Sequence, residues 1–141
     1  MMVAQELLSN FVAEGELVRV LLKDEELRTF AAGGDAIAPD VPLYVLVNEF
    51  TFSAAETVAA SIQEVGRGTT VGSPTFGKGS VQNTASLSDD HIFEYTIGHW
   101  TTPAGVLYEG VGFVPAVAAP DDPNTAADET LEAALRLIAE H

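Results

Sequence analysis

The chain is 141 residues long, which suits one domain, and 47% of it is hydrophobic, so a core rather than disorder is expected. Six Lys and Arg against 21 Asp and Glu leave a net charge of −15, which excludes binding to nucleic acid through a basic footprint. There are no cysteines, so disulfides, thiolate metal sites and a cysteine nucleophile are excluded, and the longest strongly apolar run, 43–47, is far short of the ~20 residues of a membrane span.

The N-terminus lacks a basic n-region and an apolar h-region, so it reads as neither a signal peptide nor an anchor. Residues 4–12 place Ala4, Leu7, Leu8, Phe11 and Val12 on one helical face. Strands are predicted at 16–22 and 27–30, then a loop over 31–42 with two Gly and two Pro. The apolar run 43–47 predicts a strand buried on both faces. Residues 53–65 carry Ala54, Val58, Ile62 and Val65 in helical register, with Gly66 at the C-cap, and 69–72 reads as a short strand. Strand, helix and strand at this spacing form a βαβ unit. Strands follow at 81–87 and 92–100, separated by Ser88-Asp89-Asp90, with Phe93, Tyr95 and Ile97 sharing one face of the second. A turn at Thr102–Gly105 and an edge strand within 114–118 precede a closing helix, 128–141, that aligns Leu131, Ala134, Leu135 and Ile138.

Five of the twelve glycines (66, 68, 72, 77 and 79) fall in a 14-residue window. Gly72 to Lys78 matches the first seven positions of a phosphate-binding loop, but Gly79 replaces the Ser or Thr that would hold magnesium, and a strand rather than a helix follows. No serine lies in Gly-x-Ser-x-Gly. His91, His99 and the terminal His141 have the ordinary reading of surface or satisfied histidines.

Lysine is the remaining base. Lys23 lies in a charged turn, whereas Lys78 lies between two glycines in an otherwise uncharged stretch. Loss of hydration there would disfavour the ammonium form and let the amine act as general base for a serine hydroxyl. Ser53 starts a helix after a buried strand, where the Ala54 N–H can stabilise an oxyanion. On the residues alone the commoner readings are a lysine on a mobile loop and a capping box, Ser53-Ala-Ala-Glu56.

Together, Pro42–Asn48, Phe52-Ser-Ala-Ala-Glu56, Gly66-Arg67, Val71-Gly72, Thr75-Phe-Gly-Lys-Gly-Ser-Val-Gln82, Thr102-Pro103-x-Gly105 and Gly112-Phe-Val-Pro115 resemble the carboxyl-terminal processing (tail-specific) proteases. These are serine peptidases with a serine–lysine dyad. The resemblance implies that Ser53 is the nucleophile, that Lys78, 25 residues on, is the general base, and that Gln82 orients the lysine. It further implies that Ala54 donates an oxyanion-hole N–H and that Glu64 stands where some members carry a supporting aspartate. Ala55 replaces the second serine common in the family, a feature closer to its retinoid-binding-protein-like and tricorn-like relatives.

The implied fold is α/β, a βαβ-containing mixed sheet flanked by helices, with residues 1–141 forming a single domain. That domain would be the C-terminal portion of the catalytic core, without the PDZ domain and the upstream strand that supplies the second oxyanion donor. No metal or cofactor is implied. The expected partners are proteins or peptides with apolar or unstructured C-terminal tails, and the expected setting is extracytoplasmic. Loss of one oxyanion donor would lower the rate ~10²–10³-fold, and an unpaired sheet edge would favour dimerisation. Weak or no activity is therefore expected of this chain alone. The competing reading is a non-catalytic binding module on the same fold.

Overall fold

The fold follows from how its apolar strands find partners. The computed structural model describes residues 2–34, 36–88 and 90–140. In it, β1 (Glu16–Leu22) and β2 (Leu27–Ala31) form an antiparallel hairpin, entered by the helix α1 (Met2–Ser9). The turn between them places Glu25 at φ 66°. β1 then pairs antiparallel with β6 (His91–Thr101), and β6 with β5 (Ser80–Ser88), giving a four-stranded sheet in the order β2-β1-β6-β5. A second, parallel sheet has the order β3-β4-β7, from β3 (Tyr44–Val47), β4 (Thr69–Gly72) and β7 (Val117–Ala118). Helix α2 (Ala54–Glu64) connects β3 to β4, which is the predicted βαβ unit, and α3 (Glu129–Ala139) ends the described chain. The mixed α/β architecture read from the sequence is the one observed.

The core lies where α2 meets both sheets. Leu17, Val18 and Val20 of β1, Val47 of β3, Ala59, Ala60 and Ile62 of α2, Trp100 and Phe113 are buried together, with Leu8 and Val12 closing one end. Ser61, buried within this apolar set, donates its hydroxyl to the Leu17 carbonyl at 2.7 Å and so fixes α2 against β1. Arg67 ties the irregular segment before β3 to the helix end, donating to the carbonyl oxygens of Phe11, Ala38 and Val41.

Three packing expectations change. The strand predicted to be buried on both faces lies at a sheet edge: among the described residues β3 pairs with β4 alone, and Leu46 is 41% exposed. The inner face of α2 is built not on Ala54 and Val65, which are exposed, but on Glu56, Thr57, Ala59, Ala60, Ser61 and Ile62. Small residues at 59–61 let the helix approach closely, and the face turns to enclose the Glu56 carboxylate. Helix α3 buries Thr130 and Ala134 but leaves Leu131, Leu135 and Ile138 at least 43% exposed, because it meets β3 and β4 along one narrow seam.

Gly72 explains one glycine of the rich window. It ends β4 at φ 136°, and a Cβ there would collide with the Val47 carbonyl oxygen of the neighbouring strand. Gly72→Ala is therefore expected to lose more than about 2 kcal/mol of unfolding free energy, measured by urea denaturation, since backbone strain and overpacking add.

Candidate active site

Beyond β3 the connector 48–52 is a tight turn. Asn48 Oδ1 accepts the Phe50 N–H at 3.0 Å, Thr51 Oγ1 accepts the Asn48 N–H at 3.1 Å, and the Thr51 N–H returns to the Asn48 carbonyl at 2.9 Å. The turn delivers Ser53 to the head of α2 at φ 55°, ψ −119°. Glu25 is the other non-glycine residue with positive φ among those described. A conformation of this kind costs about 1–3 kcal/mol for a residue with a side chain, and persists only where its surroundings impose it.

Those surroundings are visible. The Ser53 N–H donates to Glu56 Oε2 at 2.9 Å, and its carbonyl accepts from the N–H and the hydroxyl of Thr57. Ser53 and Glu56 keep the capping-box layout, yet the Ser53 hydroxyl makes no capping hydrogen bond of normal geometry. The next residue, Ala54, is exposed, and its N–H has no acceptor among the described residues.

Lys78 arrives from the other side. The Phe76 N–H donates to the Thr51 carbonyl at 3.0 Å, joining the lysine loop to the serine connector. The N–H groups of Gly77 and Lys78 donate to Glu56 Oε1 and Oε2 at 2.7 and 2.8 Å, and the buried Trp100 Nε1 donates to the Lys78 carbonyl at 3.0 Å. Gly77, at φ 89°, packs its backbone onto the next loop: a Cβ there would lie 2.7 Å from the Gly112 nitrogen. Lys78 is half-buried between the buried Gly77 and Gly79. Among the described residues Lys78 Nζ forms no ion pair and no hydrogen bond with Ser53 Oγ; the ion pairs found join Arg19 to Glu16, Arg28 to Glu26 and Arg136 to Glu132.

The other residues named from the sequence are more dispersed. Gln82 lies on β5 just past an irregularity in its pairing with β6, between Val81 and Gln82, and is exposed. A bulge of this kind re-aims the side chains that follow it. Glu64 stands at the far end of α2, about 16 Å along the helix from Ser53 at 1.5 Å per residue. Its carboxylate accepts the Ala104 N–H at 2.8 Å and so holds the Thr102–Gly105 turn. Burial, and then the Glu64 charge, raise the pKa of the Tyr108 phenol above its usual 10.0, keeping it neutral where it packs between Trp100 and Phe113. His91 meets Ser88 Oγ at 2.9 Å at the exposed end of the β5–β6 hairpin. Among the described residues no cluster of His, Asp or Glu could hold a metal ion, and no helix is long and apolar enough to cross a membrane. The terminal His141 and the turn residue Asp89 lie outside the described residues.

Two features were not legible as site elements. Glu56, read only as a capping residue, is fully buried and receives four hydrogen bonds. The signal was present: a carboxylate three residues after a serine, in a helix otherwise poor in charge. The second is an aromatic rim. Phe52 and Phe76, adjoining Ser53 and two before Lys78, are 56% and 66% exposed and meet edge to face with ring centroids 6.4 Å apart, while Phe50 is 76% exposed.

A parallel strand that enters a helix through a strained serine, with a lysine loop hydrogen-bonded to the same connector, belongs to a mixed α/β domain. Residues 1–119 match the model of Peptidase family S41, and the chain belongs to that family. It is 37% identical over 106 residues to the chloroplastic C-terminal processing peptidase of Tetradesmus obliquus, which covers 75% of this chain and 23% of that protein. It is 33% identical over 116 residues to a probable CtpA-like serine protease of Staphylococcus aureus, covering 81% of this chain and again 23% of the relative. The chain thus spans about a quarter of the length of these curated relatives. Among solved structures, the photosystem II D1 C-terminal processing protease superposes with a TM-score of 0.75 at 34% identity, over 94% of this chain and 34% of that one.

Proposed function

We propose that these residues carry the nucleophile and general base of a serine endopeptidase of the C-terminal processing type. The observation that carries the reading is the backbone of Ser53, held at φ 55° at the head of α2 beside an Ala54 N–H that has no acceptor among the described residues. Strain of this kind is concentrated at reactive and ligand-binding sites. The family membership and the relatives' names support the reaction class.

In the proposed reaction Lys78 Nζ, as general base, takes the proton from Ser53 Oγ, and the oxygen attacks the peptide carbonyl carbon. The Ala54 N–H stabilises the negative oxygen of the tetrahedral intermediate. The intermediate collapses with breakage of the C–N bond, and Lys78 returns the proton to the leaving amine. Water, deprotonated by Lys78, then hydrolyses the acyl-enzyme and regenerates Ser53. Gln82 orients the lysine. The rim of Phe50, Phe52 and Phe76 supports substrates with apolar residues near the scissile bond, in the C-terminal tails of proteins or peptides, and the setting is extracytoplasmic. The 141 residues alone are proposed to react slowly, since Ser53 and Lys78 are not hydrogen-bonded to each other here. The free edge of β3 supports pairing of two copies.

The test is labelling with a fluorophosphonate, followed by peptide mapping. The adduct is expected on Ser53 and is expected to vanish in Ser53→Ala. Labelling elsewhere, or labelling that survives in Ser53→Ala, would overturn the assignment.

A further inference from the structure

Among the described residues Glu56 has no counter-charge, and it is closed off from solvent. Its side chain is 0% exposed, yet both carboxylate oxygens are fully used. Oε2 accepts the N–H of Ser53 at 2.9 Å and that of Lys78 at 2.8 Å; Oε1 accepts the N–H of Gly77 at 2.7 Å and the hydroxyl of Thr75 at 2.5 Å. A carboxylate offers about four acceptor positions, and all are taken. The network continues outward, because Thr75 Oγ1 also accepts the Phe113 N–H at 2.8 Å. One carboxylate therefore joins three segments that are far apart in sequence: the serine turn, the glycine-flanked lysine loop and the Gly112–Pro115 element.

We propose that Glu56 is the positioning residue of the site. It sets the separation of Ser53 and Lys78 by binding the backbone of both, and it holds Ser53 in its strained conformation. The proposal rests on the Ser53–Lys78 reading for its catalytic consequence, but not for the clamp itself. No reacting atom touches Glu56.

The geometry makes glutamine a demanding test, although it is nearly isosteric. Its single oxygen can face either Ser53 and Lys78 or Gly77 and Thr75, so its NH₂ group always faces at least one buried backbone N–H that then lacks an acceptor. In Glu56→Gln, at least one of the amides of Ser53, Gly77 and Lys78 is expected to lose protection from hydrogen exchange, while core amides of β1 and β6 keep theirs. Fluorophosphonate labelling of Ser53 is expected to slow about 100-fold, the size expected of a misplacement near 1 Å. Unchanged exchange at those three amides, or labelling within about threefold of the parent despite lost protection, would overturn the proposal. If the parent chain is not labelled at all, the dyad reading fails, and the exchange experiment still decides the clamp. If Glu56→Gln does not fold, Thr75→Val and Thr75→Ser carry the test. The valine variant removes one donor to Glu56 Oε1 and the acceptor of the Phe113 N–H, so it should expose the Phe113 amide and slow labelling; the serine variant, which keeps the hydroxyl, should restore both. Equal behaviour of the two would overturn the proposal.

Discussion

Ser53→Gly is expected to yield a protein that is more stable than the parent and chemically silent. Ser53 sits at φ 55°, ψ −119°, a region that glycine enters without steric penalty. Relief of about 1–3 kcal/mol of strain, less the 0.5–1 kcal/mol that glycine costs through the unfolded chain, leaves a net gain of roughly 1 kcal/mol. Urea denaturation reads this directly. Ser53→Ala keeps the Cβ, and with it the strain, so it should show no such gain. Both variants lack the hydroxyl, so both should lose fluorophosphonate labelling and, in a peptide-cleavage assay, about 10³-fold or more in rate. The pair separates two roles of one position. If the serine were only a helix cap, glycine, which is itself a fair cap residue, would change stability little and leave any reactivity in place. A destabilised glycine variant would mean that the backbone strain is not real.

Lys78→Arg is expected to be as inactive as Lys78→Ala. Arginine keeps the positive charge and much of the reach, but its guanidinium does not give up its proton in proteins and cannot serve as a base. A general base contributes about 10²–10⁴-fold, so labelling of Ser53 should fall by that factor in both variants. Small primary amines added to Lys78→Ala should partly restore labelling, with an effect that rises with pH as more free amine is present. Stability should change by no more than about 0.5 kcal/mol in the alanine variant, because Lys78 forms no ion pair among the described residues. Retention of activity in Lys78→Arg would show that charge rather than basicity matters there. Failure of every amine to rescue would point to a structural role for the side chain.

Much of this fold is written in local pattern. The run Glu16–Leu22 forms β1 with the boundaries its sequence suggests, and Thr69–Gly72 forms β4. Parallel pairing of β3 with β4 follows from a strand–helix–strand spacing that leaves few other topologies. What was illegible depends on partners distant in sequence. The apolar run of β3 could not reveal that the strand would lie at a sheet edge, because apolarity records burial against some neighbour without naming it. The glycine window is plain in the sequence, but the partners of Gly72 and Gly77, Val47 and Gly112, are known only once the sheets and loops are packed.

The same division applies to the site. Ser53 and Lys78 stand out only through the family resemblance, since the residues alone favour a capping box and a loop lysine. Glu56 does not, since its capping-box reading is correct as far as it goes: Ser53 N–H does donate to it. Its other three donors come from residues 75–78, about twenty positions away, and only the fold brings them to it. Glu64, named by resemblance, lies at the opposite end of α2 from Ser53, and its carboxylate accepts the Ala104 N–H.

The central claim, that Ser53 and Lys78 form one reactive centre, is tested most directly by a crystal structure of the chain after reaction with a fluorophosphonate. The expected result is a phosphonyl group bonded to Ser53 Oγ, one of its oxygens about 2.7–3.1 Å from the Ala54 nitrogen, and Lys78 Nζ within about 3.2 Å of Ser53 Oγ. An adduct on Ser53 with Lys78 turned away to solvent, or an adduct on another residue, would contradict it.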